Sequence, residues 1–466
     1  MNGKRQKTST QQQQLLLAFA EESRRESPMA FEEGTVLVAA DSCTESPTSN
    51  DRLMDRICDP LNLECAMARV IANGGAPGVD GMTVKELEKY FERHSGRITD
   101  ELLSGTYRPQ PVKRVEIPKP DGGVRKLGIP TAVDRVVQQA ILLVLSTQWD
   151  ETFSDNSFGF RPYRSAHDAV ARAQSYLEEG YTWVVDMDLE KFFDRVNHDV
   201  LMSRVAKRVD DKRLLKLIRA FLNSGVLVDG LFSGTPEGTP QGGPLSPLLS
   251  NLLLDELDRE LEFRGLRFSR YADDCNIYVK SKRAGDRVLQ SVTAWLDKKL
   301  RLRVNQDKSA VDRPWKRKFL GFTFTTRRKR SIAPASRVKF KKRIREITKR
   351  NRGSSLAHVI SELRSYLIGW RGYFGFCETP SVLRSLDSWI HRRLRSYAWK
   401  QWKTGKRRFK ELRKLGVGKD LAAQTAGSRK GNWHNSRSPA LSFALPGRVL
   451  AELGVPLLLE PPDKKV

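Results

Sequence analysis

The sequence predicts a mixed α+β fold followed by a helical, strongly basic C-terminal part, and three observations carry that reading. Apolar, partly β-branched stretches at 181–187 and 268–279 fit short buried strands, the second as a pair meeting at a tight turn around Ala272 and Asp273. Helix-period stretches run through 132–145 and 166–177. Beyond Thr326 the pattern becomes one of long basic amphipathic helices, roughly 334–350, 355–370 and 380–403.

Taken in order, residues 1–52 are polar, hold the run Gln11 to Gln14 and clustered Ser and Thr, and read as a disordered extension. From Leu53 the composition turns globular, and Pro and Gly at Gly74, Gly75, Pro118, Gly122, Gly123 and Pro130 mark turns between short extended pieces. A content of 39% hydrophobic residues in 466 is enough for real cores and excludes a wholly disordered basic protein. Apolar runs such as 15–17 and 141–145 fall far short of the ~20 residues needed to span a bilayer, so no membrane partner is expected. The five cysteines, Cys43, Cys58, Cys65, Cys275 and Cys377, are scattered and never in a Cys-x-x-Cys pair, which argues against a disulfide framework or thiolate zinc site and for a reducing cytoplasm.

Charge is the first functional signal. The chain holds 82 Lys and Arg against 55 Asp and Glu, a formal +27. Residues 327–352 contain thirteen cations and only Glu346 as an acid, and 392–414 contain eleven with only Glu411, so a net +22 sits in two tracts. A short basic run is usually a solvated helix face, but two long acid-poor tracts suit a phosphate polymer, which rewards such surfaces through counterion release. The aromatics interleaved there, Phe340, Tyr397, Trp399 and Trp402, are expected mostly in the core.

Against this background two acidic spots stand at strand ends, Asp186-Met187-Asp188 and Tyr271-Ala272-Asp273-Asp274. Side by side, these strands would place Asp188 and Asp273 around an oxygen-seeking ion, with Asp274 nearby as a third carboxylate. Paired ions about 3.5–4 Å apart serve phosphoryl transfer by activating the attacking oxygen and stabilising the leaving one. Asp186 lies one pleat from Asp188 and is expected behind the ligands rather than among them. Taken alone, an Asp-Asp pair caps turns as often as it binds metal, so the surrounding residues decide.

Those residues form an ordered series. Asp188 is followed by Leu-Glu-Lys-Phe-Phe-Asp, and further on Gly238-Thr239-Pro240-Gln241-Gly242-Gly243-Pro244-Leu245-Ser246-Pro247-Leu248 leads into an apolar helical stretch. With Gly75-Ala76-Pro77-Gly78-Val79-Asp80-Gly81, the stretch 117–130 from Ile117 to Pro130, Ser157-Phe158-Gly159-Phe160-Arg161-Pro162, Val304-Asn305-Gln306-Asp307-Lys308-Ser309 and Phe319-Leu320-Gly321-Phe322, the chain resembles bacterial group II intron-encoded reverse transcriptase/maturases, of the group IIC kind, from about Leu53 to about Leu459. The resemblance implies a right-hand polymerase fold with an antiparallel palm sheet. It implies fingers and palm over 53–325, a helical thumb or maturase domain over 326–405, carrying Gly369-Trp370-Arg371-Gly372-Tyr373-Phe374, and a basic DNA-binding segment over 406–466. No His-Asn-His endonuclease is expected.

Residue roles follow by position. Asp188, Asp273 and Asp274 are implied as the catalytic metal centre for two Mg2+ ions, with Mn2+ as a possible substitute. Phe193 matches the bulky residue under the sugar of the incoming nucleotide, where it would clash with a 2′-hydroxyl; plain core packing is the competing reading. Lys119 and Arg125 flank a Pro-Asp-Gly-Gly turn suited to holding them over a triphosphate, although a hairpin with two solvated charges has the same pattern. Gln241 and Lys308 complete the expected nucleotide contacts. Arg343, Arg345, Arg392, Arg393, Arg395, Lys400 and Lys403 are expected on nucleic acid, which such helices grip by shape and phosphate.

The expected activity is RNA-directed DNA synthesis with binding of the intron RNA to promote splicing and retrohoming, in the bacterial cytoplasm. The expected partners are intron RNA, an RNA template with a DNA or RNA primer, a DNA target and dNTPs, with no obligate protein partner. Two other readings compete: a domesticated, intron-free enzyme of DNA repair or phage defence, and a splicing-only RNA-binding protein. Intact Asp188, Asp273 and Asp274 argue against the latter.

Overall fold

The computed structural model describes residues 52–118, 124–228, 231–233, 237–239 and 242–459. Apart from Arg52, the expected disordered extension 1–52 lies outside these residues, as do Lys119 and Gln241. The chain forms two compact units that divide at Arg313 and Pro314, twelve residues before the boundary expected from the change in sequence pattern.

In the first unit, β1 (Val112–Pro118) and β2 (Val124–Ile129) form an antiparallel hairpin, and β4 (Val226–Val228) joins β1 in parallel, after β3 (Trp183–Met187) in sequence. β5 (Leu231–Ser233) closes that sheet in the order β2-β1-β4-β5. The second sheet combines β3 with β6 (Arg267–Tyr271), β7 (Asp274–Val279) and β8 (Ala310–Asp312) in the order β6-β7-β3-β8, all neighbours antiparallel. Strands β6 and β7 are buried on both faces, with Phe268, Cys275, Ile277, Tyr278 and Val279 and the polar Ser269, Arg270 and Asn276 all inside, because the helices Ala166–Glu178 and Ser246–Phe263 pack on β6 and Lys282–Leu300 packs on β3 and β7.

The helices begin where the sequence provides caps. Thr131 caps Ala132–Trp149 through its hydroxyl, and Ser165 caps Ala166–Glu178 in a reciprocal capping box with Asp168. The helix Ser246–Phe263 is the axis of this unit: Leu248, Leu249, Leu252, Leu253, Leu257 and Leu261 are buried on it together with Asn251, Asp255 and Asp258.

The second unit opens with the hairpin of β9 (Phe322–Phe324) and β10 (Arg330–Ile332) and continues in the helices Pro334–Ile347, Leu356–Phe374 and Pro380–Gln401, close to the expected spans. Phe340, Tyr397 and Trp399 are buried, as expected of aromatics at helical spacing. The segment read as a separate C-terminal piece shares this core through Leu412, Leu441, Leu450 and Leu458. Cys58, Cys65, Cys275 and Cys377 are free thiols. Among the described residues no helix is long and apolar enough to cross a membrane.

Candidate active site

The site grows from strand register. Met187 at the end of β3 pairs with Cys275 on β7, so Asp188 leaves its strand beside the turn that joins β6 to β7. Tyr271 and Asp274 close the hairpin, leaving Ala272 and Asp273 as the two turn residues. Ala272 has φ +55°, a left-handed conformation that glycine tolerates and alanine resists, so the turn is held rather than relaxed. Asp188 is fixed through its backbone: its N–H donates to Ser309 Oγ (3.0 Å) and its carbonyl accepts from Asn305 N (2.8 Å). The Val304 to Ser309 block thus holds the first aspartate in place.

The charged groups around the turn act on one another. The pKa of half-buried Asp273 is raised, first by burial and then by the negative charge of Asp188, while Arg125 and Arg270 pull it down. Lys308 places its ammonium 3.9 Å from Asp188 Oδ2. Asp274 begins β7 and is exposed, and among the described residues no three His, Cys, Asp or Glu side chains gather as a ready metal cage. Two oxygen-donor carboxylates that repel one another, with a cation drawn to one of them, fit an ion of the Mg2+ type, which is commonly held by one or two carboxylates and completes its shell with water and substrate phosphates.

The other predicted residues take these positions. Arg125 is exposed on β2, opposite Ile117 in the hairpin, and its charge reaches Asp273. Phe193 lies in the short helix Phe192–Arg195, half-buried against the core, and its carbonyl accepts from Thr239 N (2.7 Å). The buried His198 sets Nε2 2.6 Å from the Gly238 carbonyl, tying the glycine-rich approach to the same segment. Gly242 comes so near β2 that a β-carbon would meet the Gly128 oxygen at 2.5 Å.

In the helical unit, four of the seven basic residues expected on nucleic acid hydrogen-bond the chain itself, Arg343 only locally, to Glu346 Oε2 (3.3 Å) one turn away. Arg392 donates to the Trp433 carbonyl (3.0 Å) and lies over its ring, Arg393 donates to Thr348 Oγ1 (2.9 Å), and Arg395 donates to the Leu445 carbonyl (2.9 Å). Arg343, Arg345, Lys400 and Lys403 face solvent.

Sequence reasoning missed the buried network under the turn. Arg270 on β6 and Asp258 on the Ser246–Phe263 helix are both fully buried and ion-paired, with Asn251 and Ser157 completing the set. The available signal was an arginine beside Phe268 and Tyr271 just ahead of the Ala272-Asp273 turn and acids inside a leucine-rich helix.

A family described as "Reverse transcriptase (RNA-dependent DNA polymerase)" matches residues 117–324, and one described as "Group II intron, maturase-specific domain" matches 337–416. Protein YkfC of Escherichia coli is 33% identical over 310 residues, covering 58% of this chain and 81% of its own length. The chain belongs to the group II intron-encoded reverse transcriptase/maturase family. Within that family, LtrA of Lactococcus lactis subsp. cremoris is 33% identical over 177 residues, covering 37% of this chain and 29% of its own. Among solved structures, a partial Cas6-RT-Cas1–Cas2 complex matches with 25% identity over 53% of this chain and 42% of its own, at a TM-score of 0.35. By the two family matches, the chain carries a reverse transcriptase domain followed by a maturase-specific domain, and it binds nucleic acid.

Proposed function

We propose that this reverse transcriptase/maturase extends a primer 3′-hydroxyl with dNTPs on an RNA template, and binds its own intron RNA to promote splicing and retrohoming. The observation that carries the reading is the meeting of Asp188 and Asp273 at the ends of adjacent strands, with the charge of Arg125 acting on Asp273. In the reaction the primer oxygen bonds to the α-phosphorus, the bond to the β-phosphate breaks, and pyrophosphate leaves. Asp188 and Asp273 would hold two Mg2+ ions, which when bound stabilise charge on the attacking and leaving oxygens.

The chain's own residues orient the reactants. Arg125 holds the triphosphate by its planar fork, joined by Lys119 from six residues earlier in the sequence. Phe193 presents its ring under the sugar, Gln241 lies beside the base, and Lys308 moves from Asp188 to the phosphates as they arrive. Residues 53–325 act as fingers and palm, 326–405 as thumb and maturase domain, and 406–466 as the DNA-target segment. Arg343, Arg345, Lys400 and Lys403 contact phosphates. The setting is the bacterial cytoplasm.

The test is Asp273→Ala, assayed by primer extension on RNA beside an RNA-binding and splicing assay with the flanking transcript. Synthesis is expected to vanish while RNA binding and splicing persist. Retained synthesis would overturn the catalytic assignment, and a transcript that neither binds nor splices with the wild-type protein would overturn the maturase assignment.

A further inference from the structure

We propose that Arg270 is a positioning residue that sets the geometry of the Ala272-Asp273 turn, acting from inside the palm through Asp258, Asn251 and Ser157. The inference rests on the reading of Asp273 as a metal ligand and adds the device that places it.

Arg270 is fully buried, and every guanidinium N–H has a use. Nε donates to Asp258 Oδ1 (2.7 Å), and Nη2 to Asp258 Oδ2 and to Ser157 Oγ (2.7 Å). Nη1 donates to Asn251 Oδ1 (3.1 Å) and to the carbonyl of Ala272 (3.0 Å), the residue just before Asp273. The backbone joins in: Arg270 N donates to the Asn156 carbonyl and Phe158 N to the Arg270 carbonyl, both at 2.9 Å. Asn251 then donates to the Gly159 carbonyl (2.8 Å), and Gly159 packs directly on Ala272 N. One guanidinium thus ties together the 154–161 loop, the Ser246–Phe263 helix and the catalytic hairpin.

Stability alone does not explain such a pair. Removing two charges from water costs several kcal/mol per ion, and apolar replacements of buried pairs are often neutral or stabilising. What an apolar pair cannot supply is a donor to the Ala272 carbonyl. That carbonyl belongs to a residue in a left-handed conformation, which persists only where its surroundings over-determine it. A planar fork with five donors can bond the acid, the amide, the hydroxyl and the turn at once; a lysine ammonium, with three donors, cannot.

The experiment compares the wild-type full chain with Arg270→Met/Asp258→Leu, which removes the buried charges together, and with Arg270→Lys, which keeps the ion pair but not the fork. Thermal unfolding, kcat and dNTP KM on an RNA template, and Mn2+ affinity by EPR without turnover are measured. Expected is a Tm near wild type for at least one variant, a kcat lower by about 100-fold with KM nearly unchanged, and Mn2+ bound roughly tenfold more weakly. A folded variant with wild-type kcat and Mn2+ affinity overturns the proposal. So does failure of both variants to fold, which would make the pair a requirement of the fold as a whole. Asp273→Ala runs in parallel: synthesis retained there defeats the catalytic reading itself, whereas loss there with full activity in a folded Arg270 variant defeats only the positioning role.

Discussion

A β-carbon on Gly159 would stand 2.3 Å from the amide nitrogen of Ala272, closer than real β-carbons approach any atom. The glycine is therefore part of the floor on which the Ala272-Asp273 turn rests. Gly159→Ala meets backbone on the other side, so the turn itself must shift. The expected cost is ~1–3 kcal/mol of stability, with kcat reduced at least about tenfold because Asp273 moves with the turn. Denaturant unfolding and primer extension measure the two. Gly96→Ala is the control: it lies in the helix Leu87–Leu103 with nothing within 4 Å of the new carbon, and is expected to be neutral or stabilising by up to ~1 kcal/mol.

Lys308 and Asp188 form a partly exposed pair at 3.9 Å, with side-chain exposures of 56% and 36%. Such a pair is worth ~0–1 kcal/mol. Lys308→Ala should leave stability almost unchanged and raise the dNTP KM roughly fivefold, the equivalent of about 1 kcal/mol, with kcat little altered. Steady-state primer extension distinguishes this from a structural role, in which stability rather than KM would change.

Phe193 is half-buried, its ring edge-on to Phe192 at 5.1 Å between centroids, while its carbonyl holds the glycine-rich segment. Phe193→Ala removes the ring and keeps the backbone bond. Incorporation of ribonucleotides relative to deoxynucleotides should rise at least about tenfold in kcat/KM, the scale of a lost steric contact. Unchanged discrimination would assign the ring to packing.

Asp134 supplies a pH-dependent prediction away from the site. Its carboxylate accepts from Tyr107 Oη (2.9 Å), Gln110 N (3.1 Å) and Thr131 Oγ1 (2.7 Å), yet burial dominates and pushes its pKa up to about 6. The folded state binds this proton more tightly than the unfolded chain, where an Asp titrates near ~3.9. Its stabilising contribution is therefore full below pH ~4 and is lost as pH rises through about 6. Relative to Asp134→Asn, which does not titrate, wild-type unfolding free energy should decline by up to about 3 kcal/mol between pH 4 and 7. Denaturant titrations across that range measure the difference.

Much of the palm was legible because its signals are local. Apolar strands ending in acids, capped helices and the Gly-rich approach at Gly238 depend on neighbours within a few residues, and the structure places these elements close to their expected spans. The intramolecular partners of Arg392, Arg393 and Arg395 were not legible. A basic residue on an amphipathic helix has the same sequence pattern whether its guanidinium faces a phosphate or donates to a carbonyl some forty or fifty residues away, as Arg392 does to Trp433 and Arg395 to Leu445.

The sequence by itself determined the chemistry available: which acids stand at strand ends, where the cations gather, and which family pattern the blocks follow in order. Only the tertiary structure decided which of these groups meet. Antiparallel register carried Asp188 to the Asp273 turn, while Asp274, the first residue of β7, lies exposed. Arg270, 113 residues from Ser157 and 12 from Asp258, became the centre of the palm through packing that no local pattern records. A buried charge needs partners on every side, and those partners come from wherever the fold brings them.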